Sequence, residues 1–284
     1  MKIGAHVSSA GSLDKAIDRA EEIGAEAVQI FVSSPQGWAY KPVPSGAIEA
    51  YKSKSKATGI SPAFFHGVYL VNLATSNAVN LAKGVDSLTF YMQTAVELGA
   101  LGVIFHLGSH GGAGFDNVLD QIAASMRHVL DSSLGEPWLV VENSAGMGQH
   151  VGSRFAELGR ILKEVGSPRV KICLDTQHTF AAGYNVATRD GLQAAMEEFD
   201  HEVGLSDLVA VHANDSKIAL AGGVDRHENI GEGFIGVEGF ENIIGNAVFA
   251  QVPFLLEVPG FENTGPDKKN VDTLKSIRKK VLGV

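Results

Sequence analysis

The sequence has 284 residues, of which 45% are hydrophobic, and a formal net charge of −9. This length suits one α/β barrel of roughly 250 residues, and no linker-like stretch interrupts it, so we expect a single domain over residues 1–284. No segment approaches the about 18 uninterrupted apolar residues of a membrane span. A strand-like start without a signal peptide and a lone cysteine, Cys173, predict a cytoplasmic protein. The acidic balance argues against a simple polyanion binder, unless the carboxylates hold cations.

Eight short segments have the continuous Val, Ile, Leu and Phe composition of buried parallel strands. In chain order they are Lys2–His6, Ala27–Phe31, Pro62–His66, Gly102–His106, Trp138–Glu142, Val170–Asp175, Leu208–His212 and Phe254–Glu257. Helical patterns separate them. The first is expected to begin with Ser12 at the N-cap position, followed by Ile17, Ala20 and Ile23 on one apolar stripe. The others are Ser45–Thr58, Asn77–Leu98, Phe115–Ser132, Ser153–Glu164, Asp190–His201, Val237–Ala247 and Asp267–Leu282.

Regular alternation of strands and helices predicts a closed (β/α)8 TIM barrel with its active site at the C-terminal ends of the strands. The structural alternative is a doubly wound open sheet. That fold would not gather the ends of six consecutive strands around one point, and no GxGxxG turn follows a strand. The longer loops, residues 33–44 and 213–236, are expected to cover the site.

Six of the predicted strands end in a residue that can bind a metal. These residues are His66, His106, Glu142, Asp175, His212 and Glu257. His178 follows just past the sixth strand, and Asp225 and His227 lie in the loop after the seventh, spaced to point the same way. A set of His, Asp and Glu without Cys suits zinc first, and manganese or iron next. Because one ion needs about four ligands, nine candidates predict two or three ions.

Several motifs resemble the endonuclease IV family, the zinc-dependent apurinic/apyrimidinic endonucleases of base excision repair. They are His-Leu-Gly-Ser-His at 106–110, Val-Glu-Asn-Ser-Ala-Gly-Met-Gly at 141–148, Ile-Cys-Leu-Asp-Thr-Gln-His at 172–178, His-Ala-Asn-Asp-Ser-Lys at 212–217 and Val-Asp-Arg-His-Glu-Asn-Ile-Gly-Glu-Gly at 224–233. The five motifs occur in the family's order, and the resemblance extends over essentially the whole chain.

The resemblance implies three zinc ions, and the donor chemistry also admits manganese at part of these sites. His66, His106 and Glu142 would hold one ion. Glu142 would also bridge to a second ion bound by Asp175, His212 and Glu257, and His178, Asp225 and His227 would hold the third. It further implies cleavage 5′ to an abasic site in double-stranded DNA, which leaves a 3′ hydroxyl and a 5′-deoxyribose phosphate. Glu142 and Glu257 would be the catalytic carboxylates, with Glu257 orienting the attacking water.

The same resemblance marks two DNA contacts. Tyr69, in His-Gly-Val-Tyr-Leu at 66–70, is similar to an intercalating residue, with packing on its own barrel rim as the alternative. Gln36 aligns with a position where some relatives insert an Arg into the DNA base stack. Gln lacks the positive charge and the planar guanidinium that would stack on the bases. Gln177 stands where relatives often have Cys, and little effect is expected there. His6 either supports a ligand or is a hydrogen-bonded core histidine.

The main alternative is a sugar isomerase or epimerase of the same barrel type. Such enzymes resemble this chain in holding one divalent ion with a Glu, Asp, His, Glu set, which Glu142, Asp175, His212 and Glu257 would supply. The five surplus ligands favour the nuclease. A catalytically dead DNA-binding protein is the third interpretation, but it would need a missing ligand, and none is missing. Since no exposed apolar helix face stands out, a monomer is expected.

Overall fold

The computed structural model describes residues 1–283 and contains a closed barrel of eight parallel strands. The eight barrel strands are β1 (Ile3–His6), β2 (Val28–Ile30), β3 (Ala63–His66), β4 (Gly102–Phe105), β5 (Trp138–Glu142), β6 (Val170–Asp175), β7 (Leu208–His212) and β10 (Phe254–Leu256). Two further short strands, β8 (Asp215–Ser216) and β9 (His227–Glu228), lie outside the barrel. The barrel order is β1-β10-β7-β6-β5-β4-β3-β2, and β8 pairs with β9 in a separate antiparallel hairpin. The predicted TIM barrel is confirmed.

Helices follow the barrel strands and pack against one another around the outside. They are α1 (Asp14–Glu22), α2 (Ser45–Thr58), α3 (Ala78–Leu98), α4 (Phe115–Asp131), α5 (Phe155–Val165), α6 (Thr176–Ala181), α7 (Arg189–Glu202), α8 (Gly236–Gly245) and α9 (Lys268–Leu282). Most cover the barrel with one apolar stripe; in α1 this stripe is Ala16, Ile17 and Ala20. Within residues 1–283, no helix is long and apolar enough to cross a membrane.

Inside the barrel, two sets of side chains lie one above the other, because residues two apart on a strand face the same side. The lower set, here called the apolar layer, is a buried cluster separate from the core under the helices. It consists of Ala27, Phe64, Ile104, Val140, Cys173, Ala210 and Leu255. Gly4 takes the eighth position, where a Cβ would lie 2.5 Å from the Ala27 carbonyl oxygen. Burial raises the pKa of the Cys173 thiol to about 11, which suits a packing role.

The upper set, here called the polar layer, lies two residues further along each strand. Its members are His6, Gln29, His66, His106, Glu142, Asp175, His212 and Glu257. The strand register places His6 beside Gln29 and Asp175 beside His212, and Leu255, two residues before Glu257, pairs with His212. The parallel strands thus hold six predicted ligands in one ring at the barrel mouth.

Three local details differ from the sequence-based expectations. The N-cap of α1 is Leu13, because the Ser12 hydroxyl bonds Asp14 instead of a helix N–H, so the predicted Ser12 cap is wrong. Helix α6, which carries His178, was not predicted; the side chain of Asp175 caps it by accepting from the His178 N–H at 2.8 Å. The β8–β9 hairpin was also not predicted, and it holds His227 against the mouth.

Candidate metal centre

The nine predicted ligands converge at the C-terminal mouth of the barrel. His66, Glu142, Asp175 and His212 are the last residues of β3, β5, β6 and β7. The remaining five come from just beyond a strand, from α6 and from the segment that follows β7: His106, His178, Asp225, His227 and Glu257. Three groups have ligand atoms within 4.8 Å of one another: His66, His106 and Glu142; Glu142, Asp175, His212 and Glu257; and Asp175, His178 and His227.

Glu142 lies between two of these groups and turns one oxygen toward each. Its Oε2 is 3.2 Å from His66 Nε2 and 3.3 Å from His106 Nε2. Its Oε1 is 2.9 Å from His212 Nδ1. The carboxylate is buried among these rings. One side chain is therefore placed to serve two ions at once.

Asp175 joins the second and third groups, which the sequence did not reveal. Its Oδ2 is 3.9 Å from His212 Nδ1 and 3.6 Å from His227 Nε2. Asp225 completes the third group, with Oδ2 3.3 Å from His178 Nε2 and Oδ1 3.3 Å from His227 Nε2. Its side chain is 47% exposed, so this group is the most open of the three.

Four of the histidines use one ring nitrogen for a hydrogen bond away from the centre. His66 Nδ1 donates to the Gly67 carbonyl at 2.8 Å, and His178 Nδ1 donates to the Asn143 carbonyl at 2.9 Å. His227 Nδ1 faces the Glu257 carbonyl at 3.3 Å, and His212 Nε2 donates to Gln29. These bonds leave the other nitrogen of each ring as a lone-pair donor, as metal-binding histidines require.

Several buried atoms at the mouth have no hydrogen-bond partner among residues 1–283. They include Glu142 Oε1, His178 Nε2, His212 Nδ1 and His227 Nε2. Unpaired buried polar atoms are rare and costly, so four of them around one centre call for a common explanation. Each is an atom that a bound cation would contact. The donor set, nitrogen and carboxylate oxygen without sulfur, fits zinc or a similar divalent ion.

Some groups at the centre already have the protonation state that cations require, and others do not. Burial by itself lowers the pKa of His178, but Asp175 and Asp225 outweigh it and raise that pKa well above its usual range, so a bound cation would displace a proton there. Burial by itself raises the pKa of Glu142, but His106 and His212 outweigh it and hold the pKa well below its usual range. Burial opposes ionisation of Asp225 too, yet His178 lowers that pKa to about 2. Burial lowers the pKa of His106 to about 4. Ionised carboxylates and a neutral imidazole are the forms that bind metals at neutral pH.

Two glutamines in contact with the centre were not recognised from the sequence as part of it. Gln29 is fully buried in β2 and bonds both His212 and Glu257. Gln177, where little effect was expected, is also buried; its amide bonds the Val224 carbonyl and the Arg226 N–H, on either side of Asp225. Gln29 could have been found from its place in the two-residue alternation, since it is a lone polar residue in an apolar strand.

His6 belongs to the centre rather than to the apolar core. Its Nδ1 lies 2.9 Å from Glu257 Oε1 and 2.9 Å from Gln29 Nε2. Burial lowers the pKa of His6, so its ring is neutral at neutral pH. Of the two interpretations left open by the sequence, support of a ligand is the one that these contacts favour.

Two adjoining cavities of about 450 and 500 Å³ open at the centre, and both are lined by His106, His178 and Asp225. Tyr69 lines both, and its side chain is 62% exposed above the His66 ring, 6.0 Å between centroids. The Tyr69 N–H donates to the Pro35 carbonyl at 3.0 Å, which brings the turn carrying exposed Gln36 beside it. The two predicted DNA contacts thus lie together on the rim.

Comparisons with known proteins agree with this geometry. The model of a family described as "Xylose isomerase-like TIM barrel" matches residues 17–280. A "Probable endonuclease 4" from Halothermothrix orenii is 40% identical, covering 97% of this chain and 99% of its own, and one from Aquifex aeolicus is 37% identical over 96% of each. A D-tagatose 3-epimerase-like protein, 20% identical with a TM-score of 0.72, covers 100% of this chain and 97% of its own and shares the fold alone.

Among solved structures, endonuclease IV from Thermus thermophilus superposes with a TM-score of 0.87 at 32% identity, covering 99% of this chain and 100% of that one. The resemblance that the motifs carry is thereby confirmed. This chain belongs to the endonuclease IV family and is a nuclease.

Proposed function

We propose that this enzyme hydrolyses the phosphodiester 5′ to an abasic site in double-stranded DNA, with three zinc ions, and leaves a 3′ hydroxyl and a 5′-deoxyribose phosphate. The observation that carries the proposal is the division of nine side chains into three groups that share Glu142 and Asp175. Because one chain supplies all nine side chains, a monomer is sufficient for the reaction. We further propose that residues 1–284 form one domain and that the enzyme acts in the cytoplasm.

We assign the ions by these groups. His66, His106 and Glu142 hold the first, and Glu142, Asp175, His212 and Glu257 hold the second. His178, Asp225 and His227 hold the third, with Asp175 alongside. Manganese is the alternative ion at part of these sites, because the nitrogen and oxygen donors suit both metals.

When bound, the ions would polarise the phosphate and lower the pKa of water toward about 7. The protein contributes position and charge. Glu142 and Glu257 are the proposed catalytic carboxylates: Glu142 fixes the spacing of two groups, and Glu257 presents Oε2 toward the centre while His6 and Gln29 hold its Oε1. Four carboxylates carry four negative charges, which three divalent cations exceed, so the loaded mouth attracts a phosphodiester despite the acidic chain.

On the DNA side, we propose that Tyr69 fills the gap left when the abasic sugar moves into the mouth. Moving that sugar costs least where the base is already absent, because no stacking is lost. Tyr69 is exposed and stands between the two cavities, so one face can stack on a base while the sugar lies near the ions. Gln36 lies on the adjoining turn, and we propose that it contacts the DNA beside Tyr69 without contributing a positive charge.

A single-metal sugar isomerase or epimerase is the alternative, because Glu142, Asp175, His212 and Glu257 alone form one four-ligand group. That reaction has no use for His66, His106, His178 or the Asp225 and His227 pair.

Elemental analysis after desalting is expected to give about three zinc per chain, and a duplex with one synthetic abasic site is expected to be nicked 5′ to it without added magnesium. One zinc per chain and an uncut duplex would favour the isomerase.

A further inference from the structure

Gln29 lies in the middle of β2 with its amide pointing into the barrel mouth. The strand has the sequence Val28-Gln29-Ile30, and all three residues are buried. The Gln29 Nε2 donates to Glu257 Oε1 at 2.6 Å and contacts His6 Nδ1 at 2.9 Å, and Oε1 accepts from His212 Nε2 at 2.8 Å. One neutral side chain therefore contacts three other members of the polar layer.

The orientation of this amide determines how two candidate ligands are presented. Because Gln29 Oε1 accepts a hydrogen bond from His212 Nε2–H, the unprotonated nitrogen of that ring is Nδ1, which faces Glu142. Because Gln29 Nε2 engages Glu257 Oε1, Oε2 of that carboxylate is left 3.3 Å from His212 Nδ1. His212 and Glu257 belong to the same group of four. The amide supplies a donor to Glu257 and an acceptor to His212 without adding charge.

We propose that Gln29 is a positioning residue for the ion held by Glu142, Asp175, His212 and Glu257, and that it sets the affinity of this ion separately from that of the other two. The proposal rests on the proposed zinc-dependent function. Side chains that orient metal ligands by hydrogen bonding typically change metal affinity by about 10- to 100-fold when replaced. Gln29 makes no side-chain hydrogen bond to His66, His106 or Glu142 of the first group; its bonds go to His6, Glu257 and His212.

Gln177 holds a different part of the centre. Its Nε2 donates to the Val224 carbonyl at 3.0 Å and its Oε1 accepts from the Arg226 N–H at 3.3 Å, which fixes the backbone on both sides of Asp225. Asp225 contacts His178 and His227 in the third group. Replacement of Gln177 is therefore expected to weaken another ion than replacement of Gln29.

The test is a zinc titration of metal-stripped protein against a competing chelating indicator, for wild type and for Gln29→Met. Methionine has a similar length and volume but neither hydrogen-bonding group. One ion is expected to bind about 10- to 100-fold more weakly in the variant, and two are expected to keep wild-type affinity. Gln29→Asn, which keeps the amide but is one methylene too short to reach both ligands, is expected to weaken the same ion and serves if Gln29→Met does not fold.

Two further variants separate positioning of the ligands from a general effect of removing an amide. Gln121→Met removes a partly buried amide that bonds the Leu73 and Thr75 carbonyls in the loop after β3 and contacts no predicted ligand, so it is expected to bind three ions normally. The double variant Gln29→Met with Gln177→Met is expected to keep a single tight ion. Thermal unfolding of the metal-free proteins shows whether each variant is folded before zinc is added.

Unchanged affinity for all ions in folded Gln29→Met, or equal weakening of all of them, would overturn the proposal for Gln29. If the wild-type protein binds one zinc ion, the three-zinc function is contradicted but the proposal for Gln29 is not. The proposal for Gln29 is then supported if Gln29→Met lowers the affinity for that ion, and overturned if it does not. A wild-type protein that binds no zinc would contradict both.

Discussion

The apolar layer and the polar layer lie two residues apart on the same strands, and they differ in how their atoms are satisfied. Phe64, Val140 and Leu255 are buried against one another, and their side chains have no polar atoms that require a partner. Two residues on, Glu142 and His212 are equally buried but retain atoms without a partner. The backbone places both layers in the same way. The lower layer therefore stabilises the barrel by itself, whereas the upper layer keeps unpaired atoms that bound cations would satisfy.

The largest expected effect is on the polar layer, with Glu142→Gln. An amide offers one neutral oxygen where two anionic ones now face separate groups, so two ions lose a ligand. Cleavage of an abasic-site duplex is expected to fall by about a thousandfold, with DNA binding still detectable by gel shift. The exposed carboxylate of Asp116, paired with Arg160, provides the control Asp116→Asn, which should be unaffected. Near wild-type turnover in Glu142→Gln would exclude it as the shared ligand.

The matching change in the apolar layer is Phe64→Ala, two residues before His66. Removal of this fully buried ring is expected to lower the free energy of unfolding by about 3–5 kcal/mol, as measured by denaturant unfolding. Zinc stoichiometry at room temperature should stay as in wild type, because no ligand is changed. Phe64→Leu is expected to cost less, about 1 kcal/mol. Loss of zinc without loss of stability would show that the two layers are not separable in this way.

Tyr69 lies above both layers and should influence DNA alone. Loss of one base–aromatic stack costs about 1–3 kcal/mol, so Tyr69→Ala is expected to weaken binding of an abasic-site duplex by about 5- to 150-fold, measured by fluorescence anisotropy. Zinc content should not change, because Tyr69 is not in any of the three ligand groups. Tyr69→Phe keeps the ring and is the control. Equal affinity in all three proteins would favour packing on the barrel rim as the role of Tyr69.

The sequence predicted the features that depend on a repeated pattern. Continuous apolar runs identified all eight barrel strands, and the rule that parallel strand ends meet at one mouth predicted that His66, Glu142 and Asp175 lie together. Partition of the ligands came from family resemblance, because spacing along the chain does not show which oxygen of Glu142 faces which histidine.

What the sequence did not predict depends on single side chains in tertiary contact. Helix α6 begins because Asp175 caps it, and the two-residue strands β8 and β9 are too short to leave a pattern. Gln29 was overlooked because an amide is a poor metal ligand, although its position in the alternation matched that of the ligands. The Ser12 cap failed because the hydroxyl bonds the Asp14 carboxylate instead.

The smallest expected effect lies at the opposite end of the barrel from the mouth, where Glu26 joins the chain's two ends. Its carboxylate accepts from both Arg278 terminal nitrogens, at 2.7 and 2.9 Å, and from the Ile3 N–H at 2.9 Å. Partial burial alone would raise the pKa of Glu26, but these donors outweigh it and lower the pKa to about 2. Unlike the carboxylates of the polar layer, this one has its cation within the chain.

Because the folded-state pKa of Glu26 lies below its ordinary value of 4.5, the pair stabilises the protein above that pH. Its contribution should disappear as the pH falls from 4.5 to about 2. After allowance for solvent screening, Glu26→Gln is expected to lower the free energy of unfolding by about 1–2 kcal/mol at neutral pH, with a smaller difference from wild type near pH ~3. Denaturant unfolding of both metal-free proteins at the two pH values measures this. If the difference in unfolding free energy between wild type and Glu26→Gln grows on acidification, Glu26 is not held ionised by Arg278. The closed end of the barrel would then not differ from the mouth in having a cation supplied by the chain itself.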